Sequence, residues 1–161
     1  MKQPLQFPDC PNPKVPATDH AFFHELKLQA RFSDIDILGH INNSVYMQFM
    51  DLGKADYFTR STGQRVELGG LSLAIVNINC DFFSPAYFNE PLSVITRVSS
   101  VSTHSLRMEQ RIVNPSTGDV KCIGRTVLAG FDPRTASGTT LPEELVSQIE
   151  AFEGRNLRKN Y

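Results

Sequence analysis

Two carboxylates, a histidine and two asparagines are concentrated within ten residues of this chain. Asp34 and Asp36 are separated by one residue, and His40 is followed closely by Asn42 and Asn43. A carboxylate can attack a carbonyl carbon or take a proton from water, and a histidine can carry a proton near neutral pH. The segment therefore predicts nucleophilic or acid–base chemistry on a carbonyl group.

The flanking sequence places this segment between a strand and a helix. Alternating apolar residues predict a first strand over 25–32, and apolar residues near helical spacing predict a helix of about twenty residues. The asparagines and Ser44 are suitable N-cap residues, and Gly63 supplies a C-terminal stop. The first N–H groups of a helix lack partners within the helix and lie at its electropositive end. Such a junction can polarise a carbonyl oxygen.

The rest of the chain predicts an α+β domain. Strand-like stretches occupy 71–83, 92–101, 105–113 and 120–131, and turn residues separate them. One strand, a long helix and then a meander of strands indicate an antiparallel sheet curved around the helix. The segment Thr140–Glu143 has the pattern of a capping box that opens a short helix through Phe152. We expect a proline-rich arm over 1–24, the domain over 25–152 and a frayed basic tail over 153–161.

Composition excludes several classes of protein. The chain has 161 residues, 40% of them hydrophobic, and a formal net charge of −1. The near-neutral charge gives no electrostatic case for binding nucleic acid or an anionic membrane surface. We find no signal peptide and no apolar run long enough to span a membrane. Three cysteines without C-x-x-C spacing fit reduced thiols in the cytoplasm.

Several motifs occur in the order typical of one known family. Residues 34–43 read Asp-Ile-Asp-Ile-Leu-Gly-His-Ile-Asn-Asn, followed by an aromatic-rich helix. Further matches are Asn79–Ala86, Pro115–Asp119 and Phe131–Pro133. Over roughly residues 26–150 the chain resembles hotdog-fold thioesterases of the 4-hydroxybenzoyl-CoA thioesterase type. The resemblance implies a hotdog fold, in which a curved antiparallel sheet wraps around a long central helix.

The resemblance also implies an activity and an assembly. We expect an acyl-CoA thioesterase that releases a carboxylic acid and coenzyme A, with no metal or redox cofactor. A single hotdog leaves a sheet edge open, so the resemblance implies a homodimer or homotetramer with sites near the interface. An acyl-carrier-protein thioesterase and a non-catalytic acyl-thioester-binding hotdog protein are the alternatives. A hotdog dehydratase fits this motif order less well.

The family pattern assigns catalytic roles to three residues. By the resemblance, Asp36 is the catalytic carboxylate, either as a nucleophile or as a general base that activates water. The backbone N–H of Asn43 is the family-like donor to the oxyanion. His40 is suited to binding the thioester oxygen, positioning water or protonating the leaving thiolate, although it would equally serve to tie down the loop. Asp51, on the helix, is the alternative acid, and it has the spacing of an ion pair with Lys54.

Five further residues are predicted to contact substrate, and each also has a structural interpretation. Asp34 would order the loop, Asn42 would cap the helix, and Gly39 would satisfy a turn. Tyr46 and Phe82 are candidate walls of an acyl pocket or plain core residues. Basic residues on the later strands are available to coenzyme A phosphates, or are ordinary strand charges: Arg97, Arg107, Arg111, Lys121 and Arg125.

Other catalytic and metal patterns are weaker. His20 and His24 have the spacing of metal ligands only on a helix, and no third ligand is evident in the sequence nearby. We therefore predict no metal site. A Ser44–His40–Asp36 triad lacks the G-x-S-x-G elbow of serine hydrolases, so that class is disfavoured.

Overall fold

A six-stranded antiparallel sheet packs one face against a long helix. The computed structural model describes residues 2–64 and 72–159. The strands are β1 (His24–Leu28), β2 (Leu73–Phe82), β3 (Leu92–Val101), β4 (Ser105–Val113), β5 (Val120–Asp132) and β6 (Ser137–Gly138). The helices are α1 (Asn43–Thr62) and α2 (Glu143–Glu153), with a 3-10 turn at Phe32–Asp34.

The strand order is β1-β3-β4-β5-β2, with β6 paired to the end of β5, and every pair is antiparallel. The predicted α+β architecture is confirmed. The first strand was predicted over 25–32, but it ends at Leu28 and the chain then forms the 3-10 turn. The predicted start of the second strand, Leu71, lies outside the described residues.

Helix α1 has the predicted caps and approaches the sheet closely. The side chain of Asn42 accepts a hydrogen bond from the Ser44 amide at 3.0 Å, and Gly63 ends the helix at φ 70°. A methyl group at Gly53 would lie 2.9 Å from both γ-carbons of Val94 on β3 and 2.8 Å from Nε2 of Gln110. The absence of a side chain at Gly53 therefore sets the distance between helix and sheet.

The C-terminal part differs from its prediction. The N-cap of α2 is Pro142, without a side-chain hydrogen bond, so the predicted capping box at Thr140–Glu143 is wrong. The tail is not frayed over 155–159: the Lys159 amide donates to the Val101 carbonyl at 2.8 Å, and Arg158 pairs with Glu150 on α2. Helix α2 and the tail therefore close the end of the core around α1.

A buried carboxylate joins α2 to both α1 and the sheet. Oε1 of Glu153 accepts from the Tyr57 hydroxyl at 2.6 Å and from the Val98 amide at 3.0 Å. Burial raises the pKa of Glu153, while these hydrogen bonds oppose the shift. Tyr57 is 0% exposed, and its ring packs edge-on against Phe152 of α2.

The proline-rich arm covers the face of the sheet opposite α1. Phe22 is buried there with Ile95, Val113 and Ile123, whereas Val94 and Ile112 point to the α1 side. This alternation follows from the two-residue period of strands. The arm is thus an ordered layer of the fold that packs on its own chain.

We predict that Gly53→Ala destabilises the protein by about 1–3 kcal/mol, because the added methyl group overpacks the contact with Val94. Helix propensity alone would favour alanine over glycine by about 1 kcal/mol. The exposed Ala55→Gly is the control and should lose about 1 kcal/mol from propensity alone. Urea unfolding followed by circular dichroism measures both, and a stabilised Gly53→Ala would contradict the close approach.

We predict that the free energy of unfolding of Glu153→Gln, relative to that of the parent, is more favourable at pH 7 than at acidic pH. The raised pKa of Glu153 means that its contribution to stability is present below the unfolded pKa and is lost as pH rises through the folded pKa. The glutamine does not ionise but retains an oxygen for Tyr57 and Val98. The variant's advantage in free energy of unfolding should therefore shrink as pH falls. Urea titrations between pH 4 and about 7.5 measure it, and an advantage that is constant with pH would contradict the assignment.

Candidate functional site

The motif that carries the two aspartates forms a tight loop that runs directly into α1. Ile35 and Ile41 form an antiparallel bridge, and the Asp36 amide donates to the His40 carbonyl at 2.8 Å. On the other side of the bridge, the Asn42 amide donates to the Asp34 carbonyl at 2.8 Å. These bonds define a loop over 35–41, hereafter the site loop, whose end is the start of the helix.

Asp36 uses one carboxylate oxygen to hold the site loop. Its Oδ1 accepts from the Leu38 amide at 2.9 Å and from the His40 amide at 3.3 Å. Within 2–64 and 72–159, no residue donates a hydrogen bond to Oδ2. Asp36 is half-buried. One oxygen is therefore fixed in orientation, and the other remains able to attack a carbonyl or accept a proton from water.

Asp34 points into the protein and does not share a side with Asp36. It is 3% exposed, and its two oxygens accept from the Arg31 amide at 2.8 Å and the Arg31 guanidinium at 3.2 Å. On an extended segment, the one-residue spacing would place Asp34 and Asp36 on the same side, but Asp34 ends the 3-10 turn instead. In this geometry Asp34 orders the entrance to the site loop.

The start of α1 presents an amide without a partner. Asn42 accepts from both the amide and the hydroxyl of Ser44 at 3.0 Å, so its side chain caps the helix. The amide of Asn43 is the first of the helix, and no acceptor for it is found in the described ranges. Gly39 adopts φ 82° in the turn and donates to the Asp36 carbonyl at 3.1 Å. The space around its α-carbon is open, so glycine here satisfies the turn and also leaves room above it.

A second loop, over 83–91, supports the site loop; the sequence predicted a connection between two strands there, but not its contact with the site loop. The Ala86 carbonyl accepts from the Ile41 amide at 2.8 Å, and the Tyr87 ring packs edge-on against His40 with centroids 5.4 Å apart. The ring nitrogens of His40 make no hydrogen bond to any part of the chain that the structure describes. The histidine is thus held by an aromatic contact that leaves both nitrogens for a ligand.

Tyr46 and Phe82, the candidate walls of an acyl pocket, meet between α1 and β2. Their rings pack edge-on with centroids 5.3 Å apart. Tyr46 is 2% exposed, whereas Phe82 is 48% exposed. Burial raises the pKa of Tyr46 to about 12, and the negative charges of Glu90 and Asp36 act in the same direction. Tyr46 is therefore a neutral phenol at the base of the site, and Phe82 forms an apolar wall open to solvent.

Lys121 anchors the supporting loop from β5. Its buried ammonium donates to the Pro85 carbonyl at 3.1 Å, contacts Asp119 at 2.8 Å and forms a close ion pair with Glu90. Burial opposes its charge, but the hydrogen bonds to Asp119 and Glu90 raise the pKa of Lys121. Lys121 was one of the basic residues considered for coenzyme A phosphates, but its ammonium group is already bound by these groups of the protein. Arg97 and Arg111 are likewise at most 5% exposed.

Asp51 lies away from the site loop. It is exposed on α1 and accepts from Lys54 at 3.3 Å, as the ion-pair interpretation predicted. It lies eight positions after Asn43 on the helix, which corresponds to a rise of about 12 Å along the axis. The geometry thus favours Asp36 over Asp51 as the reactive carboxylate.

Large apolar side chains are exposed on the site loop and along β2. Ile37 is 100% exposed and Leu38 73% exposed at the tip of the site loop. Other exposed apolar side chains are Phe32, Phe82, Tyr87 and Phe88 near the loop, Leu52 on α1, and Ile75, Val76 and Ile78 on β2. Such a concentration of exposed apolar surface marks a ligand site or an interface.

The described residues contain neither a metal-binding cluster nor a membrane-spanning helix. No group of three or more histidine, cysteine or acidic side chains within them has the arrangement of a metal centre. None of the helices there has the length and hydropathy needed to cross a membrane.

Comparisons with known proteins identify the family to which this fold belongs. Residues 30–149 match the family model of the thioesterase-like superfamily. A solved thioesterase from Thermus thermophilus, complexed with coenzyme A and Zn, superposes with a TM-score of 0.73 at 29% identity. That alignment covers 83% of this chain and 96% of the other.

Two curated relatives share the same region. The long-chain acyl-CoA thioesterase FadM of Escherichia coli K12 is 22% identical over 127 residues, which are 78% of this chain and 96% of FadM. The chloroplastic acyl-acyl carrier protein thioesterase ATL2 of Arabidopsis thaliana is 32% identical over 93 residues, 56% of this chain and about half (49%) of ATL2. The fold is the hotdog thioesterase fold, with its sheet left open. The chain belongs to the thioesterase-like superfamily and is a thioester hydrolase.

Proposed function

We propose that this protein is an acyl-CoA thioesterase of the 4-hydroxybenzoyl-CoA thioesterase type and that Asp36 is its reactive carboxylate. The observation that carries the proposal is that the two carboxylate oxygens of Asp36 have different environments. One oxygen accepts from two site-loop amides, and the other has no donor among the described residues. The free amide of Asn43, at the positive end of α1, is the proposed donor to the oxyanion.

In the proposed reaction, the thioester carbonyl oxygen accepts a hydrogen bond from the Asn43 amide. Asp36 then either attacks the carbonyl carbon, giving an anhydride that water hydrolyses, or removes a proton from water as the water attacks. In both routes the C–S bond breaks, and the sulfur of coenzyme A takes up a proton and leaves as the thiol. His40 can supply that proton, because its ring nitrogens are not occupied by the described part of the protein. The route requires no metal or redox cofactor.

We propose Asp34, Gly39, Asn42, Tyr46 and Phe82 as the residues around the bound substrate. Of these, Phe82 is the apolar wall that faces solvent, and Gly39 leaves open space above the turn. Asp34 and Asn42 would act indirectly, because their side chains accept hydrogen bonds from Arg31 and Ser44, which flank the site loop. Three free cysteines fit a reducing compartment, which we propose to be the cytoplasm.

The alternative substrate is an acyl group on acyl carrier protein. ATL2 is named for that activity and FadM for acyl-CoA hydrolysis, so the relatives do not choose between the two. Rates with the same acyl chain on coenzyme A and on acyl carrier protein would decide. We expect the higher kcat/KM with the coenzyme A thioester.

We further propose that the protein is at least a homodimer joined through β2. This strand lies at the sheet edge, so one side of its backbone is unpaired within the described sheet, and Ile75, Val76 and Ile78 are exposed on it. A long apolar edge is unfavourable in a free monomer and favours pairing with a second copy. The same contact would cover the apolar tip of the site loop, Ile37 and Leu38.

We predict that Asp36→Asn lowers kcat for acyl-CoA hydrolysis by about 10²–10⁴-fold with little change in KM. Asparagine retains an oxygen for the Leu38 and His40 amides, so the site loop should stay folded. Thiol release from short, long and aromatic acyl-CoAs measures the effect. Asp51→Asn is the matched control and should retain activity. Loss of activity in the control alone would move the catalytic role to Asp51, and saturable binding without turnover of any thioester would favour the non-catalytic alternative.

We predict that Val76→Glu converts the protein to a monomer and lowers its activity. The new carboxylate would be desolvated in the proposed β2 interface, which is costly for an unpaired charge. Lys27→Glu introduces the same side chain at an exposed position of the opposite edge strand, β1, and should leave the assembly unchanged. Sedimentation equilibrium gives the mass of each. A parent protein with the mass of one chain would exclude the dimer.

A further inference from the structure

The arm and the outer face of the sheet line a cavity, open to solvent on one side, that the proposed thioesterase site does not use. Its volume is about 610 Å³, within the range of about 300–1,000 Å³ typical of small-molecule sites. Apolar walls come from Leu5, Phe7 and Val15 of the arm and from Ile95 and Val113 of the sheet. The family match, over residues 30–149, does not include the arm.

The arm is seated by specific contacts that keep the cavity open. The Leu5 amide donates to the Phe22 carbonyl at 2.8 Å, which closes the arm on itself. The Pro8 carbonyl lies over the β4–β5 turn, where a methyl group at Gly118 would be only 1.9 Å from its oxygen. Asn12 donates to the Phe83 carbonyl at 3.5 Å. These contacts hold the arm at both ends of the cavity.

One buried cation lines this cavity. Arg111 is 5% exposed and donates through Nη2 to the Pro16 carbonyl at 3.0 Å. Its Nε is buried and has no hydrogen-bond partner within the described residues. A buried guanidinium N–H without an acceptor is energetically costly, so a site for an acceptor is left open at this position.

The nearby carboxylates do not fully balance the positive charge of Arg111. The nearest carboxylate, Glu109, lies 3.9 Å from Nε of Arg111 but only 3.0 Å from Arg97. Glu109 is also shared with Arg125 at 3.9 Å. Asp9 lines the cavity but is exposed. Burial lowers the pKa of Arg111, and Glu109 only partly opposes this shift.

We propose that the arm–sheet cavity binds an organic carboxylate with an apolar body, whose anion is held by Arg111. A carboxylate would supply the acceptor that the buried Nε lacks, in the geometry that guanidinium groups favour. The apolar body would occupy the walls formed by the arm and the sheet. The cavity lies on the opposite face of the sheet from α1 and the site loop, so this site is separate from that of hydrolysis.

The cavity contains its own reporter, Cys10. This thiol lines the cavity and is half-buried, whereas Cys80 is half-buried on the α1 side of the sheet. Alkylation by iodoacetamide, quantified by mass spectrometry of each cysteine peptide, therefore distinguishes the two faces. A ligand in the arm–sheet cavity should slow the reaction at Cys10 and leave Cys80 unchanged. Binding only in an acyl pocket beside α1 would give the opposite result.

The test titrates the full-length protein with dodecanoate and with dodecanol, which lacks the charge. We expect saturable protection of Cys10 by dodecanoate alone, with an apparent Kd at least about tenfold higher in Arg111→Gln. Arg125→Gln removes a guanidinium from the same sheet face that does not line the cavity, and it should bind as the parent does. Asp36→Asn should also bind normally, because this site does not depend on hydrolysis.

A second variant covers the case in which Arg111→Gln does not fold. Ala17 is exposed and lines the cavity, so Ala17→Phe fills space without removing a charge. It should abolish the protection, and Ala17→Ser should retain it. The proposal is overturned if dodecanoate does not protect Cys10, if dodecanol protects it equally, or if protection persists in Ala17→Phe.

Discussion

The site depends on the closure of one short loop immediately before a helix. The backbone bonds from Asp36 to His40 and from Asn42 to Asp34 close the loop, and Ile41 is fixed to the Ala86 carbonyl. Because the helix begins at Asn43, these bonds also fix its first amides. A carboxylate and an electropositive helix terminus are thereby positioned by a single local structure. Packing of α1 on the sheet then holds that structure in place.

The second requirement is a buried charge cluster beneath the supporting loop. Lys121 contacts Asp119, Glu90 and the Pro85 carbonyl from a side chain that is 4% exposed. An ammonium group in such a position must have several partners, because the cost of its desolvation would otherwise exceed the attraction. The loop that carries Tyr87 to His40 is therefore stabilised by Lys121 of strand β5, about 35 residues further along the chain.

The sequence alone predicted those features of the structure that depend on local chemistry. Asn42 and Gly63 lie at the two ends of α1 as predicted, because caps act within one turn of the helix. It was insufficient for Asp34, whose burial depends on the early end of β1, and for Lys121, whose partners come from distant segments. The prolines of the arm predicted the absence of helix and central strand, but the sheet face that the arm covers is a tertiary property. At α2, extended backbone at Pro142 replaced the expected cap.

Asp36 can cap the site loop and also serve as the proposed catalyst in this geometry. A carboxylate is planar, so two amide donors to Oδ1 restrict the rotation of the whole group. The direction of Oδ2 is then determined by the same bonds that close the loop. A reactive oxygen held in this way loses little additional freedom when substrate binds, which is the advantage of a positioned catalytic group. The capping role of Asp36 would therefore orient its second oxygen for the proposed reaction.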